Sequence, residues 1–467
     1  MLGWLGFVFL IGGGSRHDIQ SLALLRSAGL IAIAASLWFV GREHIREIRA
    51  PLILLVPLAL LIAFQLVPLP PSMWSGLWNR DLIVQLGEVA GMADAWRPLS
   101  LSPMKTANAL AAMIVPFATL ALYALCPAEK RHLIWWTFLA AAMLSAVIGL
   151  AQITLGVRGL YFYRITNVGD AVGLFSNRNH NAVFMALAVC IAARLAVPAV
   201  EAHRWPVAGA LAASALVLTV MTLVNGSRAG LAILFVAWLV SFAWLALGLR
   251  DTVRNTTYGK YIKIGAVGLG LVLVAIAALL VLSGTSGAAN RLSAMEGVDE
   301  LRFRILPTLV SMSAETQPFG VGFGAFEYAY RMVEPAELLG PAYLNNAHND
   351  WLQLAIEGGI PGLLILATGI FVMLRQALRL RNASVPTPGG DWDRREAIAD
   401  ATMAFVVILL LAGASIFDYP VRTPSVMALA TVCLAMLCSP AISGFSRNSD
   451  PAGEFEEGSA PSHEGRD

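Results

Sequence analysis

The chain has 467 residues, 57% of them hydrophobic and 13% charged, with a mean hydropathy of +0.69 and a formal net charge of +2. A soluble globular protein carries about 25% charged residues, so one large water-soluble core is excluded and an all-α polytopic membrane protein is expected. No basic cluster with interleaved aromatics is present; membrane lipids, and no nucleic acid, are the expected surroundings.

A spanning helix needs about 20 mostly apolar residues. In chain order the candidate spans are 2–14, 21–40, 51–67, 106–125, 133–155, 179–196, 207–224, 229–249, 262–282, 359–380, 397–416 and 425–439. That makes about twelve, the first of them short. Residues 1–14 lack a basic leader and a small-residue cleavage site, so they read as a short retained helix rather than a signal peptide. The organisation expected is N-terminal transmembrane helices over 1–283, a large loop over 284–358, C-terminal transmembrane helices over 359–440 and a disordered tail over 441–467.

Lysine and arginine bias in short loops sets orientation. Arg42, Arg46 and Arg49; Lys130 and Arg131; Arg204; Arg250, Arg254, Lys260 and Lys263; and Arg375, Arg379, Arg381, Arg394 and Arg395 fall on every second connection. That side reads as cytoplasmic, and both termini join it. The other side receives connections 68–105, 156–178 and 284–358. In the last of these, apolar residues at helical spacing over 301–314, with Arg302 and Arg304 interleaved, predict short helices lying on the membrane face.

Cys126, Cys190, Cys433 and Cys438 lie in or beside apolar segments and read as small core hydrophobes. No His, Asp or Glu set has zinc spacing, so neither metal nor cofactor is expected.

Four polar clusters face the side opposite the basic loops. They are Gly173-Leu174-Phe175-Ser176-Asn177-Arg178-Asn179-His180-Asn181, Asn225-Gly226-Ser227-Arg228-Ala229-Gly230, the glycine-rich stretch from Pro318 to Phe326, and Asn345-Asn346-Ala347-His348-Asn349-Asp350-Trp351-Leu352 with Glu357-Gly358-Gly359 beyond. Arg228 is a permanent cation at a helix start, where the dipole favours anions. A bound phosphate or pyrophosphate would offset that, met by the guanidinium fork and the free N–H groups of the turn. Arg178 repeats the arrangement one hairpin earlier. The alternative for both is snorkelling to lipid headgroups.

His348 precedes a helix that Asn349 or Asp350 can cap and that Gly358-Gly359 can end. The helix dipole behind it favours the neutral imidazole, which can accept a proton from an attacking hydroxyl. The alternative is a structural histidine hydrogen-bonded in a loop. Gly320, Gly322 and Gly324 lack the strand and the Lys-Ser/Thr ending of a phosphate loop, which leaves close backbone packing or a substrate-facing turn.

Together the four clusters resemble the O-antigen ligase and polymerase superfamily of bacterial envelope glycosyltransferases, over about residues 173 to 362. The resemblance rests on Gly173, Phe175, Asn177 and Asn179; on Ser227, Arg228 and Gly230; on Gly322, Gly324 and an offset Phe326; and on His348, Asn349, Leu352, Gln353, Glu357 and Gly359. It implies a GT-C-like helical frame in the bacterial inner membrane with a periplasmic active site. The implied donor is an undecaprenyl-diphosphate glycan, transferred in one step without nucleotide or metal. The acceptor would be a lipid A-core, a growing glycan or a protein hydroxyl.

By the resemblance His348 is the catalytic histidine and Arg228 binds the diphosphate. Arg178 and Arg304 are further diphosphate candidates, and Asn179, Asn349 and Ser227 are placed against the substrate. Direct displacement would invert the anomeric centre, because that face offers no carboxylate pair for a covalent intermediate. The rival reading is a polytopic transporter or flippase, which would put charges and broken helices near the bilayer midplane. Arg26 and Arg194, within or near apolar spans, keep that rival open.

Overall fold

The computed structural model describes residues 1–250, 259, 270, 296–340, 344–383 and 392–439. Among them the chain is helical apart from one antiparallel pair of two-residue strands. In order the elements are α1 (Leu2–Ile11), α2 (Ser21–Leu37), α3 (Arg42–Phe64), β1 (Pro68–Leu69), α4 (Pro71–Trp74), α5 (Asp81–Val89), β2 (Arg97–Pro98), α6 (Pro103–Ala112), α7 (Ile114–Ala124), α8 (Leu133–Leu155), α9 (Arg178–Glu201), α10 (Trp205–Asn225) and α11 (Arg228–Gly248). Beyond the large loop's start come α12 (Glu296–Glu315), α13 (Phe326–Arg331), α14 (Asp350–Asn382), α15 (Trp392–Ala414) and α16 (Pro424–Leu437).

Eight helical stretches among the described residues are long and apolar enough to cross a membrane, and α1, α2 and α16 are shorter apolar helices of 10 to 17 residues. Each of the expected spans but one coincides with these; the span expected at 262–282 and the tail at 441–467 lie outside the described residues. The break expected at Gly358-Gly359 is present: a helix capped at Asn349 runs up to it and the spanning helix follows, with Gly359 at a non-helical φ of 58° between them, and α14 denotes the two together.

The bundle closes around α9, in which every residue from His180 to Leu195 is buried. Small residues let its neighbours approach: a Cβ at Gly230 of α11 would run into the Ala182 methyl group. Arg194 carries a charge into this packing, and its guanidinium donates to Glu396 at 2.6 Å and Asp400 at 2.7 Å, with Trp135 Nε1 donating to the same Asp400 at 2.8 Å. Arg26 donates to Asn108 Oδ1 at 2.8 Å. Arg194 is thus answered by two carboxylates of a neighbouring helix, as a buried charge must be, while the half-buried Arg26 meets a neutral amide.

Helix directions alternate so that Arg42, Arg131, Arg204, Arg379 and Arg395 collect at one end, and the starts of α9, α11 and α14 at the other. At that second end the segments 65–102, 296–340 and 344–358 form a cap. One apolar stripe of α12 faces protein: Ile305, Leu309 and Met312 pack with Val321, Phe326, Tyr330 and Ile356 into a separate small core, while Leu306 and Val310 are exposed beside it.

Candidate active site

Three of the polar clusters prove to be helix N-caps. Asn177 accepts from Asn179 N at 2.8 Å to start α9, Ser227 from Gly230 N at 3.1 Å to start α11, and Asn349 from Leu352 N at 3.0 Å to start α14. Asn225 ties the first two starts together by donating to the Arg178 carbonyl at 3.1 Å. The result is a set of N-terminal helix ends at one edge of the bundle, where unpaired N–H groups and dipoles favour an anion.

His348 stands just before the α14 cap with a positive φ of 50°, a sparsely populated conformation for a residue with a Cβ. Its neighbours hold it there. Ala347 N donates to Gln353 Oε1 at 2.9 Å, and Asp350 N donates to the Ser415 carbonyl at 2.9 Å. The ring's Nδ1 lies 3.2 Å from Asp418 Oδ1. Asp418 is 1% exposed and also accepts from Asn179 Nδ2 at 2.8 Å and from Tyr419 N at 3.0 Å. An ionised carboxylate only accepts, which assigns a hydrogen to His348 Nδ1; in the neutral imidazole the lone pair is then on Nε2. The Tyr419 ring packs edge-on against both His348 and the buried His180, at 5.0 Å between centroids in each case.

The loop that brings Asp418 here is pinned by Arg422. Asp350, Gln353 and Glu357 recur at helical spacing on one face of α14. Arg422 Nε donates to Asp350 at 2.9 Å and its terminal nitrogens to Glu357 at 3.3 and 3.4 Å. Although burial disfavours the charge, the two carboxylates hold the Arg422 proton more firmly than usual. Glu357, itself fully buried, also accepts from Gln353 Nε2 at 3.0 Å and Phe326 N at 3.3 Å.

The glycine-rich stretch packs on this helix, and its Phe323 and Gly324 also line the cavity at this end. Val321 N and Gly322 N donate to the Ile356 and Glu357 carbonyls at 2.9 and 3.1 Å, and Ile360 N donates to the Pro318 carbonyl at 2.9 Å. A Cβ on Gly320 or Gly359 would collide with that backbone. Close backbone packing is therefore what these glycines serve.

Of the residues singled out in the sequence, His348 and Asn179 meet on Asp418. Arg178 is the first residue of α9 and donates to Asp170 at 3.2 Å, so its charge is shared. Arg228 is exposed as the first residue of α11. Ser227 and Asn349 spend their side-chain oxygens on capping. Arg304 is exposed on α12, outside the small core of that helix. Asp418, Tyr419 and Arg422 escaped the sequence reading. Their signal was a polar Asp-Tyr-Pro-Val-Arg insert between two apolar helices, in a connection on the same side as His348.

A cavity of about 700 Å³ opens at the same end. Leu58, Ile62, Ala109, Met113, Leu354 and Leu411 line its apolar part. Its polar part includes Arg16, His17, Lys105 and Arg422, with Asn345, Asn346 and Asp350 bringing it up to the His348 segment. Lys105 Nζ lies 3.0 Å from His17 Nδ1, and burial together with that ammonium holds His17 below the usual imidazole range. Among the described residues no group of three His, Cys, Asp or Glu side chains is arranged to hold a metal ion.

Fold and site together define a multi-pass helical membrane protein with a histidine–carboxylate pair and an amphipathic cavity at one end of its bundle. Residues 213–367 match the family model described as O-antigen ligase. The match covers about a third of the chain, from within α10 through Arg228 and His348 to just past the Gly359 kink. Over this segment the chain is similar to the O-antigen ligase family. Among curated proteins none matches the chain.

Proposed function

We propose that the protein is an inner-membrane glycosyltransferase that moves a glycan from an undecaprenyl-diphosphate carrier to an acceptor hydroxyl, on the periplasmic face. The observation that carries this reading is the contact between His348 Nδ1 and the buried Asp418, 3.2 Å long, which orients the ring so that Nε2 is the nitrogen of the neutral imidazole that can accept a proton. His348 then takes the proton of the acceptor hydroxyl as its oxygen bonds to the anomeric carbon. The bond from that carbon to the diphosphate breaks, and its electron pair leaves with the phosphate. The resulting imidazolium faces the Asp418 carboxylate, in the manner of a triad aspartate. A one-step displacement of this kind inverts the anomeric centre.

The diphosphate gains charge as it leaves and needs fixed positive groups. Arg228 is the leading candidate because it stands exposed at the start of α11, where helix N–H groups add to its charge. Arg178 would contribute by sharing its guanidinium between Asp170 and the diphosphate, and Arg304 is the third candidate. The cavity, apolar along its helices and polar beside His348, suits an amphipathic lipid-linked substrate. The acceptor is assigned as a lipid A-core sugar or the end of a growing glycan.

General-base catalysis contributes about 10²–10⁴-fold. His348→Ala should therefore lose transfer by that order while protein abundance and donor accumulation stay intact. Normal transfer by this variant would overturn the mechanism. The envelope of a deletion strain separates the two acceptors: free lipid A-core beside unattached glycan means a ligase, and single repeat units mean a polymerase.

A further inference from the structure

The segment between α3 and α6 is a built unit rather than a loose connection. Its two ends pair as strands, Pro68 opposite Pro98 and Leu69 opposite Arg97. Inside it, Trp74 Nε1 donates to the Ala95 carbonyl at 2.9 Å, the Arg97 guanidinium sits 5.3 Å over the Trp74 ring, and Arg80 donates to the Leu99 carbonyl. Its base is fastened to the His348 end of the molecule. Gln65 Nε2 donates to the Glu357 carbonyl at 2.9 Å and Leu101 N to the Val321 carbonyl at 2.9 Å.

This unit turns apolar side chains outward. On α5, Leu82, Leu86 and Val89 follow i, i+4, i+7 spacing and are 58, 59 and 90% exposed. Met73, Met92 and Trp96 extend the exposed surface. The adjoining stripe of the same helix, Asp81, Gln85 and Glu88, is exposed as well. A helix with one exposed flank apolar and the next one acidic and polar suits a boundary between two phases. It does not suit a dry contact with a second protein, which would bury Asp81 and Glu88 unpaired beside the apolar stripe.

The phases are supplied by what precedes it. α3 exposes Ile53, Val56, Leu60 and Phe64 at helical spacing, the surface a spanning helix turns to acyl chains. From Phe64 the chain passes through the exposed Val67 straight into the unit, so the lipid-facing surface continues in sequence onto it. An exposed tryptophan beyond it, Trp96, is the residue type that collects at headgroup level.

We propose that α5 lies in the bilayer interface at the His348 end, with Leu82, Leu86 and Val89 among the acyl chains and Asp81, Gln85 and Glu88 in water. The unit joins the two helices, α3 and α6, that supply Leu58, Ile62, Lys105 and Ala109 to the cavity wall. It therefore anchors that wall to the leaflet.

The four native cysteines are buried, so single surface cysteines can be labelled selectively. Leu86→Cys and Glu88→Cys would each carry an environment-sensitive fluorophore in the full-length protein. The protein would be reconstituted in phosphatidylethanolamine–phosphatidylglycerol vesicles with and without doxyl-labelled acyl chains. The label at position 86 should shift to the blue and lose most of its emission to the doxyl lipid, while the label at 88 does neither. Equal, water-like and unquenched emission at both positions would overturn the proposal. So would a blue shift at 86 that escapes the quencher and grows with protein-to-lipid ratio, which would mean that a second copy covers the stripe.

Discussion

Replacing Asp418 by asparagine tests the role of the carboxylate with little disturbance around it. Asp418 accepts from Asn179 Nδ2, Tyr419 N and His348 Nδ1. An amide nitrogen at the Oδ2 position would face the Asn179 donor, but the Asn179 side chain can turn over and present Oδ1, which is buried and has no hydrogen-bond partner. The remaining carbonyl oxygen keeps Tyr419 N and His348 Nδ1. Only the negative charge is lost. Hydrogen bonds to a charged group contribute about 1.5–3 kcal/mol, twice or more the neutral value of about 0.5–1.5 kcal/mol. At roughly 1.4 kcal/mol per factor of ten, loss of the charge-dependent part, about 1–1.5 kcal/mol, lowers kcat by about 5- to 12-fold. The assay is the initial rate of glycan transfer from purified lipid-linked donor in vesicles, with abundance and melting temperature measured alongside. If Asp418 acts through His348, the substitution should cost little further in a His348→Ala background. A single variant with unchanged rate, or a double variant in which the two losses simply multiply, would refute the reasoning.

Arg228→Ala should raise the KM for donor, and Arg228→Lys should restore it poorly because an ammonium cannot supply the planar fork; unchanged donor affinity in the alanine variant would remove Arg228 from the site. Gly359→Ala places a Cβ at φ 58° against the Pro318 carbonyl and the Gly320 backbone. Left-handed strain alone is about 1–3 kcal/mol. The variant should melt at a lower temperature in detergent than the unsubstituted protein, and an unchanged transition would show that the kink is not fixed by this contact.

The spans were legible because apolar runs of bilayer length have few other readings, and the N-caps because asparagine and serine before such runs do one local job well. His348 stood out as an imidazole in a polar loop between apolar blocks. Its partner did not, because Asp418 lies 70 residues further on, and a lone aspartate in a short connection looks like a solvated turn. Arg422 was hidden for the same reason: its clamp on Asp350 and Glu357 exists only once two distant segments are packed. The spacing of Ile305, Leu309 and Met312 showed an amphipathic helix but carried nothing to choose lipid over the small core that Phe326 and Ile356 complete. Segment 65–102 lacked any long apolar run, so its strand pair and outward stripe could emerge only from the folded chain.

The Arg422 clamp makes the working unit larger than the stretch that carries the family likeness. Residues 213–367 include His348, but Asp418 and Asn179, which complete its surroundings, come from opposite sides of that stretch. A chimera that borrowed only the matched stretch from a relative would import an imidazole and meet a foreign carboxylate loop. Its success would turn on whether the incoming α14 still offers two acids for the resident arginine to grip, so compatibility between chimeric parts should track that grip more closely than overall resemblance.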